Sequence, residues 1–205
     1  MEPLSHPTGD RLGEIVHDRD FIVVYRGLDQ ASCRAVIEHF DRDPGKWRGR
    51  IGGAGASWYE DEAKVSWDLE ILDEGSSYEI FQRIHPKILA CLADYLSRSP
   101  ILQSFELTGS GYKVQMYPKG QGHFRWHADA VGKHGGDRVV AMVLYLNDVE
   151  RGGETEFFHQ RIKFVPRAGH LLLFPAAWNY MHCGHTPESG HKYIISTFIK
   201  VKAKA

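Results

Sequence analysis

Cysteine is scarce. Cys33, Cys91 and Cys183 are odd in number, far apart and form no C-x-x-C pair, which argues against both a disulfide framework and a zinc ribbon. A reducing, cytoplasmic setting is the expectation. Charge of one sign is lacking too: 25 basic residues against 26 acidic ones leave a formal net charge of −1, so no global field draws the chain to nucleic acid or to an anionic membrane. There is no long hydrophobic run. The longest, Val139 to Leu146, falls far short of the about 20 residues a membrane helix needs. The first residues, MEPLSHPTGDRLGEIVHDRD, lack the apolar stretch of a secretory signal. No internal repeat or low-complexity tract is found.

What is present suits one domain over residues 1–205, long enough to bury a core without disulfide or metal support. Residues 1–110 should supply N-terminal strands and supporting helices, and residues 111–202 the site. After a polar tail, FIVVY (21–25) reads as a short buried strand. Asp29 is placed to cap a helix whose apolar stripe is Cys33, Val36, Ile37 and Phe40. Residues 44–61, PGKWRGRIGGAGASWYED, are rich in glycine and carry aromatics, as a substrate-contacting loop or lid would. KVSWDLEIL (64–72) reads as one strand. Ser76 and Glu79 then form a capping box for a helix with Phe81, Ile84, Ile88, Leu92 and Tyr95 on one face, which Pro86 should kink or break.

From Gly111 the pattern changes to short apolar segments between turn residues: YKVQMY, VVAMVLYLN, ETEFF, IKFV, HLLLF and HKYIISTFIKV. Strands so spaced leave open edges, and the expected solution is a mainly β sandwich or closed roll of jelly-roll type with the helices outside. Within it HFRWHADA (123–130) places His127 and Asp129 two apart, on one face of a strand. Two ligands do not make a site. Two histidines and one carboxylate, with open positions left over, are the pattern of non-heme Fe(II) oxygen chemistry. The candidates for the third are His170, His182, His185 and His191. His170 and His191 sit at strand starts, in positions that suit structural histidines, so His182 is preferred.

The ordered set YPKGQGHFRWHAD, YLNDVERGGETEF, VPRAGHLLLFP and HCGHTPESGHK, over Tyr112 to Val201, resembles the Fe(II)/2-oxoglutarate-dependent dioxygenases of the prolyl 4-hydroxylase-like branch. The resemblance implies a double-stranded β-helix and a metal triad of His127, Asp129 and His182. It implies Lys192 as the anchor of the distal carboxylate of 2-oxoglutarate, with Tyr145, Tyr117 and Ser196 as further cosubstrate contacts. Fe(II), 2-oxoglutarate and dioxygen are the implied cofactor and cosubstrates, with ascorbate as an accompanying reductant. The implied reaction is hydroxylation of an unactivated C–H bond, of a prolyl residue in a peptide or protein, with release of succinate and carbon dioxide. A free amino acid or a small metabolite is the alternative substrate. Asp129 favours hydroxylation over halogenation, since halogenating relatives lack the carboxylate. Thr186 and Pro187 depart from the family's pattern and leave His185 as a rival ligand. Substrate contacts are expected from Trp47, Arg48, Arg50 and Trp58. A zinc hydrolase and a metal-loaded, non-catalytic cupin-like module remain as other readings of the same residues.

Overall fold

The computed structural model describes residues 11–50, 63–131 and 135–202. The chain enters through an antiparallel hairpin of β1 (Ile15–Arg19) and β2 (Ile22–Arg26). β1 occupies part of the expected polar tail: its residues are mostly exposed, so it is held by its ladder with β2 and leaves no apolar signature. Asp29 caps α1 (Gln30–Arg42), its carboxylate accepting from the Ser32 N–H at 2.8 Å, and Cys33, Val36 and Phe40 form the buried stripe. Part of the expected loop is strand β3 (Trp47–Arg48), and residues 51–62, with Trp58, lie outside the described residues.

The single strand expected over 64–72 is two strands in different sheets. β4 (Lys64–Val65) pairs one sheet and β5 (Trp67–Ile71) the other, the chain crossing at Ser66. The capping box at Ser76 and Glu79 does not form. A 3-10 turn over Gly75–Ser77 moves the start of α2 (Tyr78–Ser97), and Ser77 Oγ instead accepts from the Leu72 N–H at 2.8 Å. Glu79 still lies in the first turn, where the helix dipole favours a negative charge. Nor does Pro86 break α2, which runs unbroken through it. One lost backbone bond is outweighed by burial of Ile84, Ile88, Cys91 and Tyr95, with each isoleucine contributing about 1.5–3 kcal/mol. A short α3 (Pro100–Gln103) follows. No helix among the described residues is long and apolar enough to cross a membrane.

The remaining strands are β6 (Leu107–Gly109), β7 (Tyr112–Tyr117), β8 (His123–His127), β9 (Arg138–Tyr145), β10 (Thr155–Phe157), β11 (Ile162–Phe164), β12 (His170–Pro175), β13 (His182–Gly184) and β14 (Lys192–Val201), with a 3-10 turn over Trp178–Tyr180 before β13. A nine-stranded sheet runs β1-β2-β12-β9-β14-β7-β5-β3, with β6 sharing the β7 edge of β14; a five-stranded sheet runs β11-β10-β13-β8-β4. They face each other as the expected jelly roll.

The central strands of the major sheet are covered on both faces. Val23 and Tyr25 of β2 meet the helices, beside Phe40, Ile84 and Ile88, while Ile22 and Val24 face the roll interior with Tyr145, Phe157 and Phe174. Double coverage explains why IVVY, VVAMVLY and HLLLF read as continuous apolar runs. The minor sheet is covered on one face only, so Thr155 and Phe157 are buried while Glu156 between them is not.

Gly169 (φ 82°) makes the turn into β12. Its carbonyl accepts from the N–H groups of Gly27 (2.8 Å) and Leu28 (3.2 Å), and a Cβ there would lie 2.0 Å from the Leu28 carbonyl oxygen. Gly169→Ala is therefore expected to cost about 2 kcal/mol or more of unfolding free energy in urea denaturation. Gly109→Ala, where a Cβ meets nothing within 4 Å, should change it little.

Candidate metal centre

The register of the minor sheet sets His182 of β13 directly opposite His127 of β8. Asp129 follows in the turn just past β8, not on the strand itself, so its carboxylate swings between the two rings. Asp129 Oδ1 is 3.7 Å from His127 Nε2 and Oδ2 is 3.7 Å from His182 Nε2; one ligand atom from each residue lies within 4.8 Å of the others. The far side of each ring is tied to backbone. His127 Nδ1 donates to the Arg125 carbonyl at 2.7 Å and His182 Nδ1 to the Tyr180 carbonyl at 3.0 Å. A carbonyl only accepts, so each Nδ1 carries a proton and each ring turns its Nε2, the atom that would ligate a metal, to the gap.

Aromatic packing fixes the ring planes. Phe124 stacks on His127 with centroids 3.5 Å apart, and Phe157 and Phe174 flank His182. Burial, then the neighbouring His182, pushes the His127 pKa well below its ordinary value, while burial raises that of Asp129. Two imidazoles and a carboxylate that is costly to ionise alone form a donor set that a divalent cation satisfies, open toward the cavity. The residues fit such an ion.

His185 is turned the other way. Its Nε2 lies 2.5 Å from Glu156 Oε2 and 3.6 Å from Cys183 Sγ, and Glu156 and Cys183 are cross-strand partners on the outer face of the minor sheet. The same alternation removes Cys183 from the gap.

The triad opens into a cavity of ≈ 640 Å³ between the sheets. Lys192, Ser196 and Tyr117 line it. Lys192 is 3 % exposed, donates to the Gly153 carbonyl at 2.6 Å and sits 5.6 and 5.4 Å from the ring centres of Tyr117 and Tyr145. Tyr145 stands one layer back, donating to Thr155 Oγ1 at 2.7 Å, and Thr155 takes the place at the wall. Of the expected substrate contacts, Arg50 lines the cavity. Trp47 and Arg48 do not: pairing of β3 with β5 at the sheet edge places Trp47 over a separate depression with Leu69 and Ser77.

Residues 112–200 match the family model of the 2OG-Fe(II) oxygenase superfamily. That stretch, somewhat under half of the chain, is similar to a 2OG-Fe(II) oxygenase domain. A stretch of 53 residues is 43% identical to a probable prolyl 4-hydroxylase of Arabidopsis thaliana, covering 24% of this chain and 18% of that protein's length. The fold of residues 112–200 and the elements around them is shared with a prolyl hydroxylase of Trichoplax adhaerens solved with a peptide fragment of hypoxia inducible factor (TM-score 0.72, 16% identity, 89% of this chain and 84% of that one). It is shared as well with the collagen prolyl hydroxylase of Paramecium bursaria chlorella virus-1 bound to 2-oxoglutarate (TM-score 0.65, 20% identity, 91% and 99%). A prolyl 4-hydroxylase of Pseudomonas putida is a third such structure (TM-score 0.60, 17% identity, 87% and 90%).

Sequence reasoning passed over Lys64, Lys113 and Gln115, which also line the cavity, and Asp68 behind them. Lys64 opens KVSWDLEIL, which reads as one strand with no chemistry attached; only the crossing at Ser66 turns it inward. Arg138 also lines the wall, its Nη1 donating to the Asp129 carbonyl at 3.2 Å and its guanidinium stacked 3.8 Å over Phe198.

His182→Ala is expected to abolish stoichiometric Co(II) or Fe(II) binding, read by Co(II) absorption and metal analysis of dialysed protein. His185→Ala is expected to leave it intact.

Proposed function

We propose that the chain is a 2-oxoglutarate-dependent dioxygenase that hydroxylates an unactivated C–H bond, of a prolyl residue in a peptide or protein, with release of succinate and carbon dioxide. The observation that carries this reading is the presence, in one cavity, of a two-histidine, one-carboxylate set and a buried lysine facing it from the opposite sheet. His127, Asp129 and His182 would hold Fe(II). When bound, the ion supplies the activation of dioxygen that couples oxidation of the 2-oxo acid to oxidation of the substrate, one oxygen atom ending in succinate and the other in the alcohol.

The chain's own residues do the rest. The backbone carbonyls of Arg125 and Tyr180 hold both imidazoles in the ligating tautomer. Lys192 would meet the distal carboxylate of 2-oxoglutarate, whose burial without a cation would cost several kcal/mol. Ser196, Tyr117 and Thr155, supported by Tyr145, complete that polar end. The apolar walls around the rings exclude water from the reacting centre. A zinc hydrolase is disfavoured because, among the described lining residues, Asp129 is the sole carboxylate, so no second one serves as general base. Substrate choice between a prolyl peptide and a free amino acid turns on the far wall of the cavity, as do any contacts from Arg50.

Burial holds the Lys192 pKa down at about 7, against 10.5 for a solvated lysine. The charged form binds a carboxylate, and the bound anion raises the pKa again. Cosubstrate binding should therefore take up a proton near neutrality, and affinity should fall as pH rises above about 7, by up to about tenfold per unit. Calorimetry in buffers of different ionisation heat checks this. Lys192→Arg, permanently charged, should bind without that pH dependence, and Lys192→Ala should raise the concentration of 2-oxoglutarate required.

The reading as a whole is tested with purified protein, Fe(II), 2-oxoglutarate and air. Succinate release is expected, together with a proline-containing product heavier by one oxygen in lysate treated with wild type and absent with Asp129→Ala. Zinc-dependent hydrolysis without succinate would replace this reading with the hydrolase.

A further inference from the structure

One wall of the cavity carries a polar cluster that the proposed iron and cosubstrate contacts leave unused. Asp68 is fully buried; its Oδ1 accepts from Ser66 Oγ at 2.7 Å and its Oδ2 from Gln115 Nε2 at 3.1 Å. The same Oδ2 faces Lys64 Nζ at 3.4 Å and Lys113 Nζ at 3.3 Å. One carboxylate thus stands against two ammonium groups, and neither reaches it at the roughly 2.7–2.9 Å of a tight charge-assisted bond. Lys64 is only 4 % exposed, with its ammonium over the Phe124 ring at 5.2 Å, and both lysines line the cavity. Burial draws the Lys64 pKa down to about 8, a penalty that a nearby anion would relieve. The cluster is built in closely: a Cβ on Gly49 would lie 2.0 Å from Ser66 Oγ, so the β3 segment can pass only as glycine.

Topology separates this cluster from the cosubstrate end. In the minor sheet the order is β10-β13-β8-β4, so the ligand-bearing β13 and β8 lie between β10, whose Thr155 lines the cosubstrate end, and β4, which carries Lys64. Among the described lining residues no carboxylate other than Asp129 is available to the two lysines from within the cavity. A wall with two cations and one shared anion, next to the reacting centre and away from Lys192, is a receptor for a second negative charge.

We propose that Lys64 and Lys113 form an anion-binding subsite in the substrate half of the cavity, and that it seats a carboxylate of the substrate beside the C–H bond to be oxidised. This rests on the oxygenase reading and narrows the substrate to an acid: a free amino acid held by its α-carboxylate, or a peptide held by an acidic side chain.

The test uses the full chain loaded with 2-oxoglutarate and with Zn(II) in place of Fe(II), which keeps NMR signals sharp. Acetate and acetamide are titrated while the ¹³Cε signals of Lys64 and Lys113 are followed. Acetate should shift both saturably and acetamide neither. Lys113→Gln, at a position about a third exposed, frees Asp68 to pair with Lys64 alone and should weaken acetate binding about tenfold or more. Acetate that moves neither signal, or that Lys113→Gln binds as tightly as wild type, overturns the proposal. With Fe(II) and air, proline against prolinamide, and an Asp-Pro peptide against its Asn-Pro counterpart, separate the two sources of carboxylate. The source is the pair whose acid has a KM lower by about tenfold or more; amides used as well as acids in both pairs overturn the substrate assignment. Succinate release from 2-oxoglutarate without added substrate is measured in parallel. Its absence with acetate binding intact counts against the oxygenase reading and not against the subsite.

Discussion

The cross-strand pair of His127 and His182 is the constraint on which the rest of the site depends. Two imidazoles from strands far apart in sequence are set opposite each other by the β8–β13 ladder, and each ring is fixed by one bond to a backbone carbonyl of its own strand region. The carboxylate needs no strand of its own. It follows His127 by two residues and drops between the rings from the turn. Such an arrangement gains its precision from sheet geometry and its openness from there being, among the described residues, no fourth ligating side chain beside the triad.

That ladder is rigid because the other sheet is. The central strands of the major sheet are buried on both faces, with α1 and α2 on one side and the roll interior on the other, and residues of β2, β7, β9, β12 and β14 pack in both directions. One consequence is chemical. Lys192 and Ser196 project from β14 into an interior that elsewhere is filled by Tyr145, Phe157, Leu172 and Phe174, so charge is concentrated where the cavity interrupts the apolar packing. The cavity is then cationic at both ends: Lys192 at one, Lys64 and Lys113 at the other, with the proposed iron ligands between. In a low-dielectric interior such charges act strongly on anything that enters.

Much of this was legible from local pattern. The helix capped by Asp29 and the buried runs at β2, β9, β12 and β14 each follow from periodicity or capping chemistry confined to a few residues. Three of the four failures share a cause. β1 is held by its partner and not by its own apolar residues; the strand at 64–72 changes sheets at Ser66; the helix start moved when a 3-10 turn claimed Ser77; Pro86 was tolerated because tertiary burial outweighed one missing bond. At β1, Ser66 and Pro86 a long-range contact overrode a local preference; at Ser77 one local bond, to Leu72, displaced another.

The sequence by itself determined the alternation of side chains along each strand, and with it that His182 and His185 face opposite ways, as do Glu156 and Thr155. A period of two fixes such parity but carries no sign: it cannot say which face is inside. Only the tertiary structure decided that His182 turns in and His185 out to Glu156, that Thr155 reaches the cavity with Tyr145 behind it, and that Lys64 leaves solvent to share Asp68 with Lys113. Those choices depend on which sheet closes over which, and that is settled by how the apolar faces of both sheets and two helices are buried together.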